Sequence, residues 1–285
     1  MSSHSTLIAT IAALILTSLG CGPSDQTNPT CSPSANAHTE SCWVFDQQSV
    51  TIRNAGELEK ICKSSCSKIA DLKVIGANKV EDLMFLEGID RIDQIYLGNN
   101  KSLAELDGLS GVESIGYIKS RNNPRLTDVS ALGSVGEITA TLAFVENKAL
   151  EDVEGLEDIE TIGAENDSNS AVLRFEANDS LRNLDGLSGL KTIANGETYI
   201  IRNPKLRRIG GLQDITEFPD GLNVSDNAKL EDITSLYGTD TIGKSLSIIG
   251  NPKLPSCQAQ RIANNAMVEN GVSIGDNGSG DCMEQ

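Results

Sequence analysis

The side chains able to do acid–base or metal chemistry are unevenly spread along this chain. Its two histidines are His4 and His38. Nothing from residue 42 onward can therefore supply a Ser-His-Asp triad, a Cys-His pair or a histidine-ligated zinc. No phosphate-cradling or dinucleotide-binding glycine motif is present either. Carboxylates are plentiful, and Asp, Lys and Arg suffice for polysaccharide hydrolases and lyases. Yet Asp82, Glu105, Asp128, Asp152 and Asp232 recur at one phase. A catalytic acid paired with a nucleophile should break a repeat, whereas acids that obey it read as a solvated face. The segment Gly275-Asp276-Asn277-Gly278-Ser279-Gly280-Asp281 offers Asp276, Asn277 and Asp281 to calcium. It lacks the spacing and closing Glu of an EF-hand loop and reads as a turn. These patterns predict a protein that is not an enzyme and uses no cofactor and no metal.

The repeat itself is the strongest signal. Asparagines fall at Asn100, Asn123, Asn147, Asn178, Asn203, Asn227 and Asn251, each with Leu three places later (Leu103, Leu126, Leu150, Leu181, Leu206, Leu230 and Leu254). One residue type at one phase over most of a chain marks a solenoid. Five and three places before the asparagine stand apolar columns such as Ile95 with Leu97 and Leu142 with Phe144, the alternation of a strand with one buried face. Ser120 and Thr198 each break one column. Further apolar columns lie six, nine and fifteen places after the asparagine, as in Leu83, Leu86 and Ile92. No long helical stripe fills the coil, so short strands and turns around a central apolar stack are expected, with Gly at corners that need positive φ. Asparagine tolerates a left-handed corner, and its amide can donate and accept between coils. A structural asparagine ladder over about nine coils of roughly 23–25 residues follows. The excess from Asn147 to Asn178, Ala164 to Ser170, predicts a surface loop.

The ends read differently. An apolar run from Leu7 to Leu19 is too short to span a bilayer but suits a signal-peptide core. Ser18-Leu19-Gly20-Cys21 resembles the lipobox of bacterial lipoproteins, which implies lipidation of Cys21. The expected organisation is signal peptide over 1–20, lipid-anchored polar tether over 21–41 and solenoid over 42–285. A plain secretory signal competes with this reading. Seven cysteines is an odd number, awkward in an oxidising compartment. With Cys21 set aside, six remain: Cys31, Cys42, Cys62, Cys66, Cys257 and Cys282. They cluster at the two ends, which suits disulfides that pin end caps in an exported protein. A short helix from Pro255-Ser256-Cys257 to about Met267 and a Cys257–Cys282 bridge would seal the C-terminal end.

The phrase Leu103-Ala104-Glu105-Leu106-Asp107-Gly108-Leu109, followed by Val112 and Ile115, resembles the receptor L-domain family. So does the opening Val50-Thr51-Ile52-Arg53-Asn54, Glu57-Leu58-Glu59-Lys60-Ile61 and Cys66-Ser67-Lys68-Ile69. Leucine-rich repeats place the next leucine two residues after the asparagine rather than three. The resemblance implies an all-β, single-stranded right-handed parallel β-helix with disulfide-linked caps, over residues 42 to 282. It also implies a bridge from an upstream cysteine to Cys66, with Cys42 the candidate, leaving Cys31 and Cys62. Bacterial, particularly myxobacterial, surface lipoproteins carry similar repeats.

Function must then come from what faces outward. The net charge is −17, with 40 acids against 23 bases, which disfavours nucleic acid and anionic membrane surfaces as partners. Four places before each asparagine the chain reads Lys73, Tyr96, Lys119, Ala143, Arg174, Tyr199, Asn223 and Ser247, and the neighbouring outward column adds Arg121 and Glu176. Tyr and Arg typify interface hot spots. Tyr96, Lys119, Arg121, Arg174 and Tyr199 are therefore the candidate ligand surface, against the competing reading of ordinary sheet residues with β propensity. The expected function is recognition or adhesion toward a protein or glycan, by a monomer held to the cell envelope through its lipid. A carbohydrate-active β-helix enzyme and a purely structural envelope protein are the alternatives.

Overall fold

In the computed structural model, residues 49–57, 68–163 and 172–280 are described. Their dominant feature is a long parallel sheet of twelve strands. Its main path runs β1 (Ser49–Ile52), β2 (Lys68–Ile75), β3 (Arg91–Gly98), β4 (Ser114–Arg121), β5 (Glu137–Val145), β7 (Val172–Glu176), β9 (Glu197–Ile201), β11 (Gly221–Ser225), β13 (Ser245–Ile249) and β15 (Gly271–Gly275). Consecutive coils thus pair strand to strand, and the chain is mostly β and solenoid-like.

The short strands β6 (Thr161–Ile162) and β8 (Thr192–Ile193) extend the sheet beside β5, while β10 (Glu217–Phe218), β12 (Thr241–Ile242) and β14 (Met267–Val268) form a second, three-stranded sheet. The early coils run one unbroken strand through both regions. From β6 onward each coil breaks into a two-residue strand and a five-residue strand. One α-helix, α1 (Ser256–Asn265), packs against the last coils.

The register explains why an alternating sequence makes this sheet. Ile95, Ile118, Leu142 and Leu173 stand opposite one another, as do Leu97, Ser120, Phe144 and Phe175. Alternate residues of a strand share a face, so these columns stack inward, and all eight residues are buried. The apolar columns after the asparagine are buried as well, among them Leu83, Leu86, Ile92, Leu184, Leu187 and Ile193. Phe144 and Phe175 stack at 5.8 Å between ring centroids.

A further apolar column lies twelve places after the asparagine: Ile89, Val112, Val135, Ile159, Leu190 and Ile215, all buried. Thr239 occupies the next place in it. Short 3-10 turns follow the strands at Met84–Leu86, Ser130–Leu132, Asp185–Leu187, Gly210–Leu212 and Thr234–Gly238.

The asparagines run down one buried edge of this stack. Each Oδ1 accepts the backbone N–H of the preceding coil's slot residue at 2.9–3.2 Å, from Ala77 through to Asn277. Each Nδ2 donates to a strand carbonyl one coil back at 2.8–3.1 Å, for example Asn178 to Phe144 and Asn227 to Ile200. From Asn100 to Asn251 the asparagines are fully buried, and both halves of the amide are spent on backbone, which is what buried polar groups require. Asn277 extends the ladder by one rung, so the amide considered above as a calcium ligand is committed to Asn251 and Ile248.

The left-handed residue is not the asparagine. It is the residue before it: Gly76, Asn99, Asn122, Glu146, Ala177, Arg202, Asp226, Gly250 and Asp276 all have φ between 52° and 71°. Turning the chain there aims the next side chain inward, and the ladder holds the turn even where Glu, Ala or Arg must adopt a conformation that costs an L-residue about 1–2 kcal/mol.

The two residues that interrupt the apolar columns have opposite fates. Ser120 joins the ladder, donating from Oγ to Asn147 Oδ1 at 3.0 Å and accepting from Asn123 Nδ2 at 2.8 Å. Thr198 is also buried, yet its Oγ1 has no hydrogen-bond partner among the described residues, and the same holds for Thr239.

The recurring acids also do a specific structural task. Asp82, Asp128, Asp152 and Asp232 each accept, through Oδ1, the N–H two residues on at 2.7–3.3 Å, capping the entry to the following turn. Asn183 does the same for Asp185. Glu105, in the same column, sits among Asp107, Asp128 and Asp82; the Asp107 charge, then burial, then the charges of Asp128 and Asp82 push its carboxyl above its ordinary value.

Candidate functional site

The outward face of the long sheet is built from the alternate strand positions. In register across neighbouring strands lie Lys73, Tyr96, Lys119, Ala143, Arg174, Tyr199, Asn223, Ser247 and Ser273. The candidates Tyr96, Lys119, Arg174 and Tyr199 thus fall in one row across β3, β4, β7 and β9, with Ala143 of β5 between the two cations. Arg121 stands two residues beyond Lys119 on β4. The sheet brings all five together, because parallel in-register pairing turns a sequence phase into a line in space.

Each side chain is held by its neighbours. The Tyr96 ring leans along its own strand over Gly98. A Cβ at that glycine would lie 2.6 Å from the ring, so only glycine leaves room for this pose. Arg174 is fixed twice: its guanidinium lies 4.9 Å from the Tyr199 ring centroid, and it pairs with Glu176. Glu176 is itself buried and is shared with Arg202 from the next coil. A buried carboxylate between two guanidiniums locks both cations in place. Arg121 reaches Glu146 at 3.4 Å.

Lys119 differs from these. It is half-buried, and among the described residues no carboxylate pairs with it. Burial, then the charges of Arg121 and Arg174, pull its ammonium below the usual lysine range. Lys73, at the N-terminal end of the row, is neutralised by Asp71 at 2.5 Å. Burial would raise the Asp71 carboxyl, but hydrogen bonds from Lys73 and Ser49 and the Lys73 charge bring it below its ordinary value.

Tyr117 belongs to this surface and was not among the candidates. It stands two residues before Lys119, outward, opposite Gln94 and Thr141. Burial, then the neighbouring Tyr96, pushes its phenol up. The signal that finds it is the outward position six places before the asparagine, a column richer in acids and small residues and therefore passed over.

Beyond Tyr199 the face changes character. The outward positions of β11, β13 and β15 are Gly221, Asn223, Ser225, Ser245, Ser247, Ile249, Gly271, Ser273 and Gly275. They are mostly small and uncharged. The sheet therefore presents an aromatic and cationic half beside a hydroxyl and amide half.

Of the predicted end-cap cysteines, Cys257 is described and is disulfide-bonded. Cys31, Cys42, Cys62, Cys66 and Cys282, the lipidation candidate Cys21 and the 164–170 insertion lie outside the described residues. At the C-terminal end Val272, in an inward column, is 47 % exposed and Met267 70 % exposed, so β15 leaves part of its core face open. Among the described residues no group of His, Cys, Asp and Glu is placed to hold a metal, and no helix is long and apolar enough to cross a membrane.

The described residues thus present a solenoid-like parallel sheet with one broad outward face. Residues 109–217 match the family model of the receptor L domain, and over that stretch the chain is similar to that family. The match spans β4 to the start of β10 and so contains Tyr117, Lys119, Arg121, Arg174 and Tyr199. A receptor L domain points to a ligand-binding recognition module. No curated protein and no solved structure matches the chain.

Proposed function

We propose that this protein is a recognition module of the cell envelope whose ligand lies on the outward face of the long sheet. The observation that carries the reading is the row Tyr96, Lys119, Ala143, Arg174, Tyr199, built across five adjacent strands, with Arg174 locked by Glu176. Aromatic and arginine side chains held rigid before binding lose little entropy on association, which is what hot spots need. The chain works by binding and not by catalysis. It is exported and held to the envelope by a lipid on Cys21, with the polar segment to residue 41 as a spacer. Cys257 pairs with Cys282, and the remaining end cysteines staple the N-terminal cap.

The test is affinity capture from envelope extracts with the wild-type protein and with Tyr96→Ala/Arg121→Ala/Arg174→Ala. A partner held by the wild type and lost by the triple variant supports the reading; equal recovery of every partner by both overturns it. Release of reducing sugar from a polysaccharide panel would favour the enzyme instead. Persistence of fatty-acid labelling in Cys21→Ala would remove the anchor.

A further inference from the structure

We infer, resting on the binding face proposed above, that its ligand is a uronate-bearing polysaccharide laid along the stack, with carboxylates seated at Lys119 and Arg174. Three observations converge on this chemistry. The first is charge. In a chain of net charge −17, the central outward row carries Lys73, Lys119 and Arg174 and no acid. Lys73 is satisfied by Asp71, and Arg174 shares Glu176 with Arg202. Among the described residues no carboxylate pairs with Lys119, which is partly desolvated, so a ligand carboxylate gains most there.

The second is spacing. Parallel strands stand about 4.8 Å apart, so each step along the row is close to the advance of one pyranose in an extended chain. Lys119 and Arg174 are two steps apart, with Ala143 between them. A two-fold ribbon of uronic acids turns a carboxylate to the same side on every second sugar, which meets both cations in register. An extended acidic peptide does not fit: its same-face side chains repeat at roughly 6.6 Å and fall out of phase with the strands.

The third is the rest of the face. Tyr96, leaning against the sheet over Gly98, offers an amphipathic ring at one end of the row. Beyond Tyr199, the row continues through Asn223, Ser247 and Ser273, uncharged donors and acceptors suited to sugar hydroxyls and spaced by the same strand step. The polymer would run across the strands, carboxylates over β4 and β7, hydroxyls over β11 to β15.

The experiment is titration calorimetry of the full chain against a β-1,4-linked mannuronate octamer, a neutral cello-oligosaccharide of similar length and poly-glutamate. The mannuronate should bind, and more weakly as salt rises, because these charges are partly exposed. Lys119→Ala should weaken it by about tenfold or more, and Lys119→Arg should retain it. Binding of the neutral glycan as tightly as mannuronate would remove the role of the cations. Poly-glutamate binding equally well would replace the glycan with an acidic peptide and overturn the inference. If none of the three probes binds, yet envelope capture recovers a partner that the Tyr96/Arg121/Arg174 variant loses, this inference falls and the binding face stands. Mannuronate binding unaffected by that triple variant overturns both.

Discussion

Replacing Asn178 by Ala tests what holds the coils in register. Asn178 is fully buried. Its Oδ1 accepts from Asn147 N–H at 3.0 Å, and its Nδ2 donates to Phe144 O at 2.9 Å. Alanine removes both partners at a site no water reaches. A buried polar group left without its partner costs about 1–3 kcal/mol, so two such groups give roughly 4 kcal/mol. That is a large share of the 5–15 kcal/mol or so that holds a typical domain folded. Asn277 supplies the control. It makes the same two bonds, to Asn251 N–H at 3.2 Å and Ile248 O at 2.8 Å, but it is only partly buried at the end of the stack. Water can replace its amide, and Asn277→Ala should cost about 1 kcal/mol. Urea titration of both variants followed by circular dichroism gives the comparison, with the slope checked because stacked repeats can lose cooperativity. Equal losses at the two positions, or a loss below about 1 kcal/mol at Asn178, would refute the ladder as a principal source of stability.

Thr198→Val should stabilise the protein by about 1 kcal/mol or more in the same titration, because it removes a buried hydroxyl without a partner while keeping shape; Ser120→Ala should destabilise it, since that hydroxyl serves two ladder amides. Ala177→Gly should gain about 0.5–1 kcal/mol, the left-handed penalty offset in part by the extra freedom of the unfolded glycine, and a lower melting temperature would contradict this. At Asp220 a hydrogen bond from Lys244 outweighs burial and, with the Gly196 N–H, holds the carboxyl below its ordinary 3.8. The charged form is thus favoured by folding, and its contribution is present above pH 3.8 and lost as pH falls toward the lower folded value. Asp220→Asn should therefore destabilise more at neutral pH than under strongly acidic conditions, and an equal effect at both would sink the assignment.

Much of this fold was legible because one residue type marks the phase. Once Asn147 and Asn178 are aligned, Leu142 and Leu173 must face inward and Lys119 and Arg174 outward, since a strand alternates. The left-handed corner was not legible. Asn99, Glu146, Ala177 and Arg202 share no chemistry, because the ladder asparagine that follows imposes the turn and leaves the side chain free to vary. Thr239 hid for the opposite reason: its column is apolar in every neighbour, and a single polar residue carries no periodic signal. Tyr117 was missed in an outward column that otherwise holds Asp71, Gln94 and Thr141. The capping role of Asp128 and Asp232 likewise depends on a 3-10 turn that apolar spacing alone does not reveal. Neither could the sequence say that Glu176 is buried between two arginines, since Arg174 shares its strand but Arg202 comes from the next coil.

The central claim is that recognition belongs to the sheet face, and it is tested most directly by paired affinities of full-length variants for the captured ligand. Tyr96→Ala/Arg121→Ala/Arg174→Ala removes the face, while Arg125→Ala/Lys148→Ala/Lys229→Ala removes exposed cations away from it. With unchanged melting temperatures, the account predicts about a hundredfold loss or more for the face variant, given hot spots worth above 1 kcal/mol each, and little change for the other. Equal affinities, or the larger loss in the second variant, would contradict it.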